Sequence, residues 1–363
     1  MKDYLIVGSG LYGMVLAREL TDLGYSVKVI DKRNHLGGNI YNEKIEGINV
    51  HKYGAHIFHT SDESVWNYVN RFCEFNNYIN SPVAIYNEEI FSLPFNMWTF
   101  STLWKTADPN KVKDIIREQS KEVQNPKNLE EQAISMVGRD VYEKLIKGYT
   151  KKQWGRDPKD LPKSIIKRLP VRLTFDNNYF NDKYQGIPIG GYNTLIEGLL
   201  DGIETEVNID FFEKREEFER DYRRIVYTGK IDEFFDCSLG SLDYRSLRFE
   251  NEIKDLENFQ GNAVVNYTSE EVEWTRILEH KHFEGHKSDT TVITREFSEE
   301  YDGTNEAYYP INNEENKLLY SKYKSLTYNL GQYHFGGRLA EYKYYDMHQV
   351  IARALSQIKN IQL

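Results

Sequence analysis

The stretch that decides the fold is Tyr4–Asn39, YLIVGSGLYGMVLARELTDLGYSVKVIDKRNHLGGN. Its opening apolar run, Tyr4–Val7, has the length and composition of a buried parallel strand. Gly8-Ser9-Gly10-Leu11-Tyr12-Gly13 follows at once, and Met14–Leu23 carries Val15, Leu16, Ala17, Leu20 and Leu23 at helical spacing. Gly24 stops that helix, and Val27–Ile30 is a second strand closed by Asp31. Strand, glycine turn, helix, strand and acid in this order predict a dinucleotide site. Gly8 permits the tight turn, Gly10 lets a pyrophosphate approach the backbone, and Gly13 lets the helix lie close on the sheet. The helix N-terminus offers free N–H groups and a positive dipole end to that phosphate. Asp31 is placed to accept hydrogen bonds from an adenosine ribose.

Just downstream, Gly37-Gly38-Asn39 turns the chain back toward the first glycines. This continuation resembles the large FAD family that includes amine oxidases and sugar-nucleotide mutases, and it favours FAD over NAD. At 363 residues the chain can bury a good core in two or three sub-domains. Charged residues make up 28% and no apolar run approaches a membrane span, so a soluble protein is expected. The N-terminus enters a strand directly, so no signal peptide is expected, and two cysteines, Cys73 and Cys237, give no disulfide framework. A cytoplasmic location follows from both. A net charge of −10 argues against nucleic acid or anionic lipid as partner, so basic residues holding an anionic ligand must be locally concentrated.

Further along, Ile40–Val50 reads as a hairpin, and His51, His56 and His59 crowd one short stretch. No cysteine or close carboxylate completes a ligand set, so no metal is expected there; His56 and His59 could instead lie against the cofactor. Asp62–Cys73 is an amphipathic helix and Tyr78–Phe95 a hairpin with Asn87-Glu88 at its tip. From Asn96 to Trp154 the pattern turns helical, in pieces Thr99–Lys105, Asn110–Glu118, Asn128–Met136 and Asp140–Lys147. Gly155–Phe180, with Pro158, Pro162 and Pro170 around a basic centre, has the make-up of a mobile lid over an anion. Asn193–Leu200 is a helix, and Arg224–Thr228 a strand returning to the nucleotide-binding sheet. Asn262–Tyr267, Thr275–Glu279 and Thr290–Arg295 alternate like an antiparallel sheet. Near the end, Gly336-Gly337-Arg338 before a closing helix forms a second dipole site suited to the flavin end of FAD.

Several separated stretches resemble UDP-galactopyranose mutase, nearly end to end: GSGLYG, KRNHLGGN, YGAHIFHT, FSLPFN, KGYTKKQWG, KRLPVR, NNYFND, YQGIPIGGY, NYTSEEVEWTRILEHK, YYPI, GGRL and YYDM. The resemblance implies an α/β protein with a discontinuous Rossmann-like FAD-binding domain (1–77, 190–240, 315–363). It also implies a helical-bundle insert ending in the lid (96–180) and a six-stranded antiparallel β-sheet domain (78–95, 181–189, 241–314). The implied activity is interconversion of UDP-galactopyranose and UDP-galactofuranose with reduced FAD, through a covalent flavin–sugar adduct and without net redox change. UDP-galactose or a close UDP-sugar is the implied partner, and the expected assembly is a homodimer.

Carried over by motif, KRLP implies Arg168 as the lid arginine and WTRILEH implies Arg276 as its partner, two guanidiniums on one diphosphate. On spacing alone Arg172 could take the lid role. Tyr149 would stack on uracil, with Thr150 and Trp154 lining that pocket. Tyr179, Asn266, Tyr309, Tyr344 and Asp346 would line the sugar and diphosphate. His59 would sit beside flavin and sugar, and it favours plain galactose over the N-acetylated form. The cofactor set implied is Gly8, Gly10, Leu11, Gly13, Asp31, Lys32, Gly38, Asn39, His56 and Met347, with Arg245 on the flavin and Arg338 on the pyrophosphate. Leu145-Ile146 stand where many relatives carry aromatics, and Ala340-Glu341 replaces a glycine-containing turn. The competing readings are an amine-oxidase-like flavoprotein, which has no use for paired arginines, and a flavoprotein that binds a sugar nucleotide without catalysis.

Overall fold

The computed structural model describes residues 2–167 and 169–362. Its first strand, Lys2–Val7, is buried on both faces, with Tyr4, Leu5 and Ile6 inaccessible to solvent. Alternate side chains feed different cores, as strand geometry requires. Tyr4 and Ile6 join one with Met14, Val15 and Leu20 of helix Leu11–Asp22; Leu5 joins another with Ile30, Phe211 and Phe234. A central position in a parallel sheet follows. Lys2–Val7 pairs in parallel with Val27–Asp31 on one side and Tyr222–Tyr227 on the other. Glu204–Val207 and Tyr333–Phe335 complete five parallel strands, drawn from three distant parts of the chain. The discontinuous Rossmann-like unit is therefore present. Closing helix Met347–Ile361 buries Val350, Ile351 and Ala354 in the core of the first helix.

A second sheet has seven strands. In spatial order they are Tyr309–Pro310, Tyr244–Lys254, Thr291–Glu300, Arg276–Glu279, Val264–Tyr267, Val83–Tyr86 and Glu89–Ser92. Its pairings are antiparallel except one, Val264–Tyr267 with Val83–Tyr86. This corrects the six-stranded antiparallel expectation. The hairpin at 83–92 arrives from a distant part of the chain, so no tight turn dictates its direction.

The helices Met97–Trp104, Pro109–Gln119 and Leu129–Val137, with a longer helical run from Arg139 to Trp154, surround a core of their own that includes Phe100, Val112, Leu129 and Tyr142. Asn96, Asp108 and Asn128 cap the first three, and Pro109 sits in the first turn, where a missing N–H costs nothing. Phe91 and Leu93 of the hairpin enter the same core, locking insert to sheet. Among the described residues no helix is long and apolar enough to cross a membrane.

Candidate active site

A cavity of about 1200 Å³ lies outside the carboxyl ends of the parallel strands and runs on to the helical insert, the usual ligand position in such sheets. Gly8, Gly10, Leu11, Gly13, Asp31, Lys32, Gly38 and Asn39 line one end. A side chain at Gly10 would meet nothing within 4 Å, so the space above that backbone belongs to the cavity. At Gly38 (φ +56°) a Cβ would stand 2.9 Å from Gly10 Cα, so the two turns touch. Helix Leu11–Asp22 starts there with no side-chain cap, leaving its first N–H groups for an anion. Asp31 Oδ2 accepts from Ser9 N (2.8 Å) and Ser9 Oγ (2.6 Å), and Ser9 Oγ accepts from Gly37 N (3.1 Å). The acid thus ties both turns together, a role the sequence did not reveal.

Strand register builds the other end. Asn266 lies directly opposite Arg276, and Arg276 directly opposite Glu296. The row places a guanidinium in the cavity wall with a carboxylate beside it, Nε to Oε1 at 2.9 Å but too oblique for a hydrogen bond. Glu296 is 2% exposed, so it offsets the cost of burying Arg276. Burial is the largest single influence and would lower the arginine pKa, but Glu296 together with Tyr149, Tyr309 and Tyr179 reverses it and holds the guanidinium charged. Arg276 Nη2 donates to Tyr149 Oη at 3.3 Å. Asn266 Oδ1 is buried without a hydrogen-bond partner, an acceptor facing unfilled need.

The helical run from Arg139 to Trp154 changes winding on its way. Arg139–Val141 is α, Tyr142–Lys147 is π, and Gly148–Trp154 is α again. Wide π turns recur at functional sites. Here Leu145, Ile146, Tyr149, Thr150, Gln153 and Trp154 all reach the cavity. Lys152 fixes the last turn by donating to the carbonyls of Tyr267 (2.7 Å), Val272 (3.2 Å) and Trp274 (2.9 Å). Opposite stand Tyr309 and Tyr344, ring centroids 5.9 Å apart, with the Arg338 guanidinium 6.0 and 5.1 Å from them and donating to Tyr308 O.

The family model for UDP-galactopyranose mutase matches residues 144–344, and one for NAD(P)-binding Rossmann-like domains matches 6–72. A Klebsiella pneumoniae protein described as a probable UDP-galactopyranose mutase is 42% identical over 361 residues, covering 98% of this chain and 93% of that one. The chain belongs to the UDP-galactopyranose mutase family. An Escherichia coli dTDP-fucopyranose mutase is 40% identical, with 98% and 97% covered. A crystal structure of reduced UDP-galactopyranose mutase superposes with a TM-score of 0.76 at 14% identity, over 99% of this chain and 94% of that one, which speaks to the fold.

This mutase family is flavin-dependent, and the residues present fit FAD. The open backbone at Gly10, the uncapped helix start and the touching glycine turns suit a pyrophosphate, and the cavity exceeds the volume one ordinary ligand needs. A loop crosses above that end. Its Tyr301 hydroxyl takes a hydrogen bond from Lys230, beyond strand Tyr222–Tyr227, and its Glu306 pairs with Arg33, beyond strand Val27–Asp31, at 2.9 Å. Arg33 also lies 4.3 Å from the Tyr53 ring centroid. The pair is partly screened by solvent, worth about 1 kcal/mol, so Glu306→Gln should raise the rate of flavin release about fivefold. Flavin fluorescence after dilution measures this; an unchanged rate removes the strap.

Between the two ends stands His59, its ring stacked on Phe180 (3.7 Å) and its Nδ1 2.6 Å from Asp182 Oδ2. His56 Nδ1 donates to Gly54 O at 2.8 Å; burial pulls its pKa down to about 4, so the ring is neutral. Tyr179, Asp346 and Met347 also line the cavity. Arg245 does not. It is 4% exposed, donating to Gln153 O (3.2 Å) and Ser298 Oγ (3.0 Å), and so braces the helix end from behind instead of facing a flavin. Arg172 is outside the lining too, its guanidinium taken up by Asn178, Phe180 and Asn181. Arg168 lies outside the described residues. The sequence reading missed Glu296 and Asp182. An acid alternating onto the inner face of Thr291–Glu300 was a usable signal for the first, and NNYFND beside Tyr179 for the second.

Proposed function

We propose that the protein interconverts UDP-galactopyranose and UDP-galactofuranose, using reduced FAD with no net redox change. The observation that carries this reading is continuity: the glycine turns and Arg276 open onto one cavity, so a dinucleotide at the first and a sugar diphosphate at the second share one enclosed space. Reduced flavin would supply the nucleophilic nitrogen that takes up the anomeric carbon in a covalent flavin–sugar adduct as UDP departs. The chain's own work is binding, orientation and charge. Arg276 offers a planar fork to diphosphate oxygens as they gain charge, and Glu296 keeps that fork in place. Arg168 is the proposed second guanidinium.

Tyr149, Thr150 and Trp154 are proposed to hold the nucleobase. Tyr179, Asn266, Tyr309, Tyr344 and Asp346 would face sugar and diphosphate, and His59 the sugar beside the flavin. Burial raises the pKa of Tyr149 and Tyr309, so both remain protonated donors for phosphate and hydroxyl oxygens. A cytoplasmic homodimer is the proposed working form, and light scattering decides the assembly.

The deciding experiment incubates the purified protein with UDP-galactofuranose, with and without dithionite, and separates the products by chromatography. Pyranose should form only under reduction; equal conversion with oxidised flavin sinks the mechanism. The Escherichia coli relative makes dTDP-fucopyranose the second nucleotide sugar to offer. Faster turnover of that compound would reassign base and sugar while keeping the reaction class.

A further inference from the structure

Residues 171–183 contain no helix or extended strand, yet four consecutive side chains from this stretch, Tyr179 to Asp182, reach the cavity wall. No strand ladder shapes them; the Tyr179 N–H donates to Asn80 O at 2.8 Å, and side chains supply further bonds. The guanidinium of Arg172, 13% exposed, donates to Asn178 O, to Phe180 O (3.3 Å) and to Asn181 Oδ1. Its own backbone N–H is fixed to Phe95 O at 2.9 Å, so the fork projects from a stem anchored to the start of the helical insert. A guanidinium suits this work because its donors lie in one plane at set angles, whereas an ammonium presents a point charge.

The turn held in this way does two things at once. It presents Tyr179, and it sends Phe180 and Asp182 to the ring of His59. A carboxylate accepts only, so Asp182 assigns the proton of His59 to Nδ1 and leaves Nε2 for the cavity. Ser61 Oγ donates to the other carboxylate oxygen at 2.7 Å and fixes the plane of the acid. Phe180 stacks on the imidazole and fixes the ring.

We propose that Arg172 is a positioning residue: standing behind the cavity wall, it shapes the 178–181 turn so that Tyr179 is presented and His59 is held in one tautomer. The substrate-facing tyrosine and the cofactor-side histidine are thereby both tied to this side chain. It acts with the Tyr179 N–H bond to Asn80 O and with the Asn178 amide oxygen, an acceptor for Phe180 N–H and Gln185 Nε2. The proposal rests on the mutase reading only where turnover is measured.

The test compares wild type, Arg172→Met, Arg172→Lys, Arg172→Ala and Asp182→Asn as flavin-loaded proteins. Heteronuclear NMR of labelled histidine nitrogens reads the His59 tautomer without substrate. Arg172→Met should keep its flavin, show mixed His59 tautomers and lose kcat/KM by about a hundredfold, the cost of misplacing groups by about an ångström. Arg172→Lys should not recover it, and methylguanidinium added to Arg172→Ala should recover part. Asp182→Asn, a near-isosteric change, should disturb the tautomer with little change in Tm. Wild-type His59 signals in either Arg172→Met or Asp182→Asn overturn the proposal, as does loss of flavin in Arg172→Met. Absence of turnover in the wild type would sink the mutase reading instead, and the NMR arm would still decide this one.

Discussion

Arg276→Met should cut kcat/KM for the UDP-sugar by about a thousandfold, roughly 4 kcal/mol of transition-state stabilisation, while the flavin remains bound. It should also lower stability by about 3–5 kcal/mol, because Glu296 is left as a buried carboxylate without its cation. The two losses separate. In Arg276→Met/Glu296→Gln the uncompensated charge is gone, so Tm should return toward wild type while activity stays low. Stopped-flow or steady-state assays alongside thermal melts read both quantities. A double variant with wild-type turnover removes Arg276 from the chemistry.

Acid should unfold the protein well above the carboxylate range. His56 and His334 have pKa values lowered to about 4 and His280 to about 3, all chiefly by burial, and His51 is shifted the same way. Hydrogen bonding adds to the effect. His280 Nδ1 accepts from His51 N and His51 Nδ1 accepts from His56 N, both at 3.2 Å, so a proton on either nitrogen would face an N–H. Unfolded, these rings take up protons near pH ~6.5. Between that pH and about 4 the unfolded chain binds more protons than the folded one, so stability is present at neutral pH and lost on acidification. Each ring contributes about 1.4 kcal/mol per pH unit, so His56, His334 and His280 together contribute about 4, and His51 adds in the same direction. Melting at about pH 7, 6, 5 and 4.5 should show a steep fall across this window. A flat profile would show that these histidines are not buried as neutral groups.

Local signals made the first 39 residues legible: each glycine and apolar position acts on its near neighbours, so spacing alone carried the information. The helices Met97–Trp104, Pro109–Gln119 and Leu129–Val137 were readable for the same reason, since Asn96, Asp108 and Asn128 each cap the helix that begins at the next residue. Strand Tyr244–Lys254 was not. Its outer half, Arg248, Glu250, Glu252 and Lys254, looks like a solvated loop until Arg248 meets Glu299 and Glu252 meets Arg295 across the sheet. Edge strand Glu204–Val207 is similar, held through Lys2 and Lys28, and helix Glu314–Thr327 carries only a weak apolar stripe. At the site, residue type located Arg276 through its motif, but its neutralising Glu296 depends on a pairing register no short window contains. Arg245 failed for a related reason: which side of a sheet a side chain occupies follows from the register, and here it faces Gln153 and Ser298.

Rotational phase is what the surplus residue at Tyr142–Lys147 controls. Upstream, Val141 and Tyr142 must point into the insert's own core; downstream, Tyr149 and Trp154 must reach the cavity. Regular 3.6-residue winding would satisfy one demand and swing the other away by about 100°. Deleting a single residue there would leave the helix almost the same length, yet turn its far half like a key and aim the cavity-lining aromatics at the wrong wall.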